Sequence, residues 1–118
     1  MQVIRISVLI ILAIILIACT TLHKTSPAQQ SLQLQRGERS YESGYYKRAM
    51  KELLPLACDG NPAAQYAVGY MYYYGYGVSQ DTDVGYFWIK RAADQHYAPA
   101  IQALILIEQQ KAEKNIKK

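Results

Sequence analysis

Residues 49–71 and 85–107 are versions of one another. Adding 36 to the residue number carries Ala49 to Gly85, Leu53 to Ile89, Leu56 to Ala92, Ala57 to Ala93, Ala64 to Ala100, Val68 to Leu104 and Met71 to Ile107, so small or apolar residues fall on small or apolar residues. Self-similarity at a period of roughly 20 to 50 residues marks stacked repeats, and periods in the thirties belong to arrays of helical hairpins. The expectation is an all-α chain. Its 118 residues suffice for about five helices around a modest core once the first 18 are set aside.

Those first residues read as a targeting signal. Arg5 gives a positive start, and the run from Val8 to Ala18 is apolar throughout. That suits a signal-peptide core and falls short of the ~20 residues that span a bilayer as a helix. The run ends in Leu16-Ile17-Ala18-Cys19, which resembles the bacterial lipobox. The resemblance implies that Cys19 is linked to diacylglycerol and becomes the mature N-terminus, and that Thr20, in place of an inner-membrane retention Asp, directs the protein to the outer membrane of a Gram-negative bacterium, facing the periplasm. Acyl chains on Cys19 would anchor it. The alternative is an uncleaved anchor in which Cys19 is incidental. Residues 1–18 are thus read as signal peptide and 19–31 as lipidated cysteine and flexible tether, since Thr, Ser, Gln and Pro there form no apolar face.

Beyond the tether the helical pattern begins near Leu32 and breaks at Gly44, and a second helix runs from Tyr45 to Cys58 with Pro55 inside it, where a bend or weakened turn is expected. Asp59-Gly60-Asn61-Pro62 is a stop and restart, with Asn61 as N-cap and Pro62 at the first helical position. Ala63 to Tyr74 forms the next helix, Gly75-Tyr76-Gly77 a corner, and Thr82 to Gln95 its partner, capped by Asp81 or Thr82. A last helix from Pro99 to about Lys114 closes the stack.

The stretch from Ala64 carries Ala64-Gln65-Tyr66, Val68-Gly69, Met71-Tyr72, Gly75-x-Gly77-Val78, Gln80-Asp81 and Trp88-x-x-x-Ala92-Ala93. It resembles the Sel1-like repeat (SLR), an α/α relative of the tetratricopeptide repeat (TPR). The resemblance implies a short right-handed α/α solenoid, with a degenerate helical pair over residues 32–63, a full repeat over 64–99 and a capping helix over 100–118. Gly69, Ala92 and Ala93 should let helices approach closely, while Val68, Met71, Tyr72, Ile89 and Phe87 or Trp88 fill the core. Gly75 and Gly77 shape the corner. Gly85 stands where the family usually has Ala, which on propensity weakens its helix by ~1 kcal/mol. His96 stands where it usually has Gly, so positive φ is expected there.

Catalytic patterns are missing from the sequence. His23 and His96 have no metal-ligand spacing, no nucleophile sits in a catalytic motif, and Gly75-x-Gly77 is too short to cradle phosphate. The 13 basic and 9 acidic residues give a net charge of +4 but are interspersed, as on a solvated face, so no nucleic-acid partner is indicated. No enzyme, metal or cofactor is therefore expected. Cys58 is read as a small buried residue, with an intermolecular bridge as the alternative.

The positive signal is tyrosine, which occurs 11 times. Tyr66 and Tyr72 are assigned to the core, whereas Tyr70, Tyr73, Tyr74 and Tyr76 lie where the repeat is variable. Tyrosine offers large area and a hydroxyl at low entropic cost, so these four are expected to bind another protein on the concave face, where the first helices line up. The family resemblance implies a non-catalytic scaffold or assembly factor of the cell envelope or of a secretion system, including a chaperone-like role of the pilotin kind. The second reading is peptidoglycan or β-lactam-related ligand binding or hydrolysis at the cell wall.

Overall fold

The computed structural model describes residues 25–117, together with Ile6 and Ile10. Apart from Ile10, the apolar run lies outside the described residues, as do the lipobox-like tetrapeptide and Cys19. Among the described residues there are five helices and no strand: α1 (Pro27–Glu42), α2 (Tyr46–Cys58), α3 (Pro62–Tyr74), α4 (Thr82–Asp94) and α5 (Ala98–Ile116). None of them is long and apolar enough to cross a membrane. The chain divides at Gln30 into two units, and the packing described below belongs to the second, residues 31–118.

Helix α1 starts at Pro27, five residues before the expected Leu32, so residues 27–31 are helical rather than tether. The reason is a reciprocal cap. The Gln29 N–H donates to Ser26 Oγ at 3.3 Å while the Ser26 N–H donates to Gln29 Oε1 at 3.0 Å, with Pro27 at the first helical position. This is a capping box, and it satisfies two backbone donors at once. Helix α2 runs through Pro55 to Cys58, and α1 is tied to it by Gln33 Nε2 donating to the Glu52 carbonyl at 2.9 Å.

The two central boundaries follow their sequence signals. Asn61 Oδ1 accepts from the Ala64 N–H at 3.0 Å, and Asp81 Oδ1 accepts from the Asp83 and Val84 N–H groups at 3.1 and 3.0 Å, which settles the cap of α4 on Asp81. At the corner, Gly75 and Gly77 have φ of 76° and 71°. Gly77 is held by space as well, because a Cβ there would stand 2.7 Å from the Tyr46 backbone. The corner is sewn to the end of α3 by the Tyr76 and Asp81 N–H groups, which reach the Met71 and Tyr72 carbonyls at 2.8 Å.

Two apolar clusters result. In the first, Ala49, Met50, Leu53, Leu56 and Ala57 of α2 meet Ala64, Val68 and Met71 of α3, with Tyr72 and Trp88 half-buried against them. In the second, Ile89 and Ala92 of α4 meet Ala100 and Ile107 of α5, with Tyr66, Tyr73 and Ala93 at its margin. Of the Phe87 and Trp88 pair, Trp88 packs inward and Phe87 stays 51% exposed.

Helices α3 and α4 touch backbone to backbone at Gly69 and Gly85. A Cβ on Gly69 would lie 2.8 Å from the Ile89 nitrogen, and one on Gly85 would lie 2.7 Å from the Tyr73 nitrogen and 2.8 Å from the Gly69 carbonyl oxygen. Gly85 is therefore a second half of the close approach. The propensity argument against it is outweighed by packing.

A buried polar link spans the junction of the pairs. Gln65, 1% exposed, donates from Nε2 to the Ala57 carbonyl at 3.1 Å and accepts at Oε1 from Gln95 Nε2 at 2.7 Å, and Gln95 Nε2 also lies 3.0 Å from the Gly60 carbonyl. His96 takes φ of 61°, as its replacement of a capping glycine predicts. Cys58 is exposed, so its expected burial is corrected: it lies past the inward positions Leu56 and Ala57.

Candidate functional site

A groove of ≈ 420 Å³ opens between α1 and α3. Glu38, Tyr41 and Glu42 of α1 line one side, Ala63, Tyr66, Ala67 and Tyr70 of α3 the other, Leu53 lies on the lining from α2, and Tyr97 closes the end from the turn before α5. This volume falls within the range of small-ligand and side-chain pockets.

Each wall has a local cause. On α1, Glu38, Tyr41 and Glu42 fall at spacings of three and four, hence on one face. Tyr66 and Tyr70 do the same on α3, and their rings lie 6.0 Å apart. Tyr97 occupies the position 36 beyond Asn61, so it is the N-cap residue of α5, yet it makes no side-chain capping bond there. Its ring instead stands 5.8 Å from that of Tyr66. A helix cap has been given up where an aromatic wall is gained.

The rings form a continuous chain. Tyr70 touches Tyr74 at 4.5 Å and Tyr76 at 6.2 Å, and Tyr76 stacks on Tyr46 at 4.8 Å and meets Tyr41 at 6.5 Å. Burial pushes the Tyr41 phenol up to about 12, helped by the neighbouring phenols of Tyr70, Tyr46, Tyr76 and Tyr66. Tyr66 and Tyr70 are raised too, again first by burial and then by adjacent tyrosines. All three stay protonated, and so able to donate, at neutral pH.

Of the four tyrosines expected to bind, only Tyr70 lines the groove. Tyr74 adjoins it through the ring contact and is 47% exposed. Tyr76 is half-buried, stacked on Tyr46 and packed on the first cluster. Tyr73 touches Tyr74 at 5.1 Å, but it packs on the second cluster with its backbone against Gly85. Sequence reasoning missed Glu38, Tyr41, Glu42 and Tyr97 and assigned Tyr66 wholly to the core. The unusual tyrosine at a cap position was the one available signal for Tyr97.

At the other end of the chain, α5 leaves Ile105 52% and Leu106 59% exposed. The offset of 36 places Ile105 at the position where, one repeat earlier, Gly69 meets α4. Glu108, at the Tyr72 position, accepts a hydrogen bond from Tyr86 Oη at 2.9 Å. Among the described residues no group of three His, Cys, Asp or Glu side chains is placed to hold a metal.

Residues 62–97 match the family model of the Sel1 repeat, which covers α3, the corner and α4 up to the turn before α5. That segment is thus a Sel1 repeat, and the five-helix, strand-free architecture of the described residues around it is consistent with an all-α helical repeat of the Sel1 and tetratricopeptide type. Sel1 repeats generally mediate protein–protein interaction. No curated protein and no solved structure gives a significant match to the chain.

Proposed function

We propose that the protein is an envelope-anchored adaptor that holds a segment of another protein in the groove between α1 and α3. The observation that carries this reading is the tyrosine chain along the first helices of a Sel1-type fold, half-buried yet lining an open groove. Rigid aromatic side chains already held by their neighbours lose little entropy on binding, which is what a preformed docking surface requires. Cys19, following the lipobox-like Leu16-Ile17-Ala18, carries the acyl chains in this proposal, and residues 20–26 space the helices from the outer membrane. The lipid restricts the search for a partner to two dimensions. An assembly or escort role in the envelope or a secretion system follows from that arrangement.

The test is photo-cross-linking in intact cells, with a photoreactive aromatic residue at Tyr70 and, as control, at Lys117. One envelope protein captured at Tyr70 alone, and lost when Tyr66→Ala is added, supports the proposal. The same background at both positions, or co-sedimentation of the protein with purified sacculi and no captured protein, counts against it.

A further inference from the structure

The groove is acidic in a chain that is not. The chain holds 13 basic residues against 9 acidic, yet Glu38 and Glu42 line the groove and no lysine, arginine or histidine does. Both carboxylates are exposed, and neither joins an ion pair, since Lys90 with Asp94 is the sole pair among the described residues. Beside them stand the rings of Tyr41, Tyr66, Tyr70 and Tyr97, whose faces are the negative end of the ring quadrupole. Cations within about 6 Å of such a face are attracted to it. The fold already makes this contact elsewhere: Lys111 Nζ lies 4.2 Å over Tyr86, and the Arg91 guanidinium lies 5.6 and 5.5 Å from the Phe87 and Trp88 rings.

We propose that the groove receives an arginine or lysine side chain from an extended segment of the partner protein, its charge set against the tyrosine rings and paired with Glu38 and Glu42. This rests on the partner-docking reading above and specifies its chemistry. A neutral segment would strip water from two carboxylates without pairing them, and an acidic one would be repelled. The volume of ≈ 420 Å³ suits one or two side chains rather than a folded surface.

The experiment uses the full chain purified from membranes in detergent micelles, with its tyrosine rings labelled with carbon-13. It is titrated with a capped hexapeptide carrying two arginines and with the same peptide carrying citrulline, which keeps the shape and removes the charge. The expected result is a shift of the Tyr41, Tyr66, Tyr70 and Tyr97 signals on adding the arginine peptide, with affinity at least about tenfold weaker for citrulline. The doubly substituted Glu38→Gln, Glu42→Gln protein should lose affinity by a similar factor, and both positions are exposed, so its folding is not at stake. Equal affinity for the two peptides, indifference to the double substitution, or no shift at millimolar peptide overturns the proposal. If cross-linking at Tyr70 still captures a protein, docking stands and only the cationic specificity is overturned. If cross-linking also fails, the docking reading goes with it.

Discussion

At Gly85, two local rules compete and the structure says which is stronger. Alanine there gains ~1 kcal/mol of helix propensity, but its Cβ would stand 2.7 Å from the Tyr73 nitrogen and 2.8 Å from the Gly69 carbonyl, backbone atoms that cannot move singly. Overpacking of this kind costs about 1 to 3 kcal/mol. Gly85→Ala should therefore lower the midpoint of chemical denaturation, and an unchanged or higher midpoint would mean that the helices separate freely. Tyr41 makes a second prediction. Burial pushes its folded phenol up to about 12 from the ordinary 10.0, so between those values the unfolded chain has lost a proton that the folded chain keeps, and stability falls as pH rises. The contribution is complete below pH 10 and gone above 12. Urea midpoints at pH 9 and pH 11.5 should differ less for Tyr41→Phe than for the unsubstituted protein, and equal differences would show that the phenol is as solvated as a free one.

The elements were legible in the sequence to the extent that each carried its own signal. Asn61-Pro62 and Asp81 announced the starts of α3 and α4 because a cap is a local hydrogen bond between near neighbours. Ser26-Pro27-Ala28-Gln29 carries the same kind of signal for α1, but it stands ahead of the apolar period, so periodicity alone places it in the tether. The groove was legible only along α3. Tyr66 and Tyr70 share one helix face, whereas Tyr41 and Tyr97 reach them through the stacking of separate elements, which no single-helix period encodes. The division of labour between Phe87 and Trp88 was likewise tertiary. It predicts that Trp88→Ala, removing a ring packed on the first cluster, destabilises by about 2 to 3 kcal/mol, below the full cost of a buried aromatic. Phe87→Ala should cost under about 1 kcal/mol, for the Arg91 contact and the exposed edge contact with the Trp88 ring at 5.4 Å. Thermal melts of the two variants decide it, and equal losses would mean that Phe87 is packed as fully as Trp88.

For the whole molecule, anchor and groove act together in the proposed function, and they are separable by substitution. Affinities of isolated grooves this small are weak, because a few side chains must offset the entropy of association. Confinement to one membrane surface raises the effective concentration of the partner without adding a contact. Cys19→Ser removes the thiol that the proposal acylates and leaves every residue from 25 to 117 in place, so the helical fold, read by circular dichroism and by the denaturation midpoint, should be unchanged. Cross-linking at Tyr70 in cells should fall by at least about tenfold, as expected when tethering supplies most of the effective concentration. Affinity for a soluble peptide in the groove should not change. Thr20→Asp separates position from attachment: by the sorting rule implied by the lipobox, it would leave the acyl chains on Cys19 and move the protein to the inner membrane, losing a partner that resides at the outer one. Capture at Tyr70 that survives both substitutions at full yield would mean that the groove finds its partner in solution and that the N-terminal segment contributes nothing to recognition.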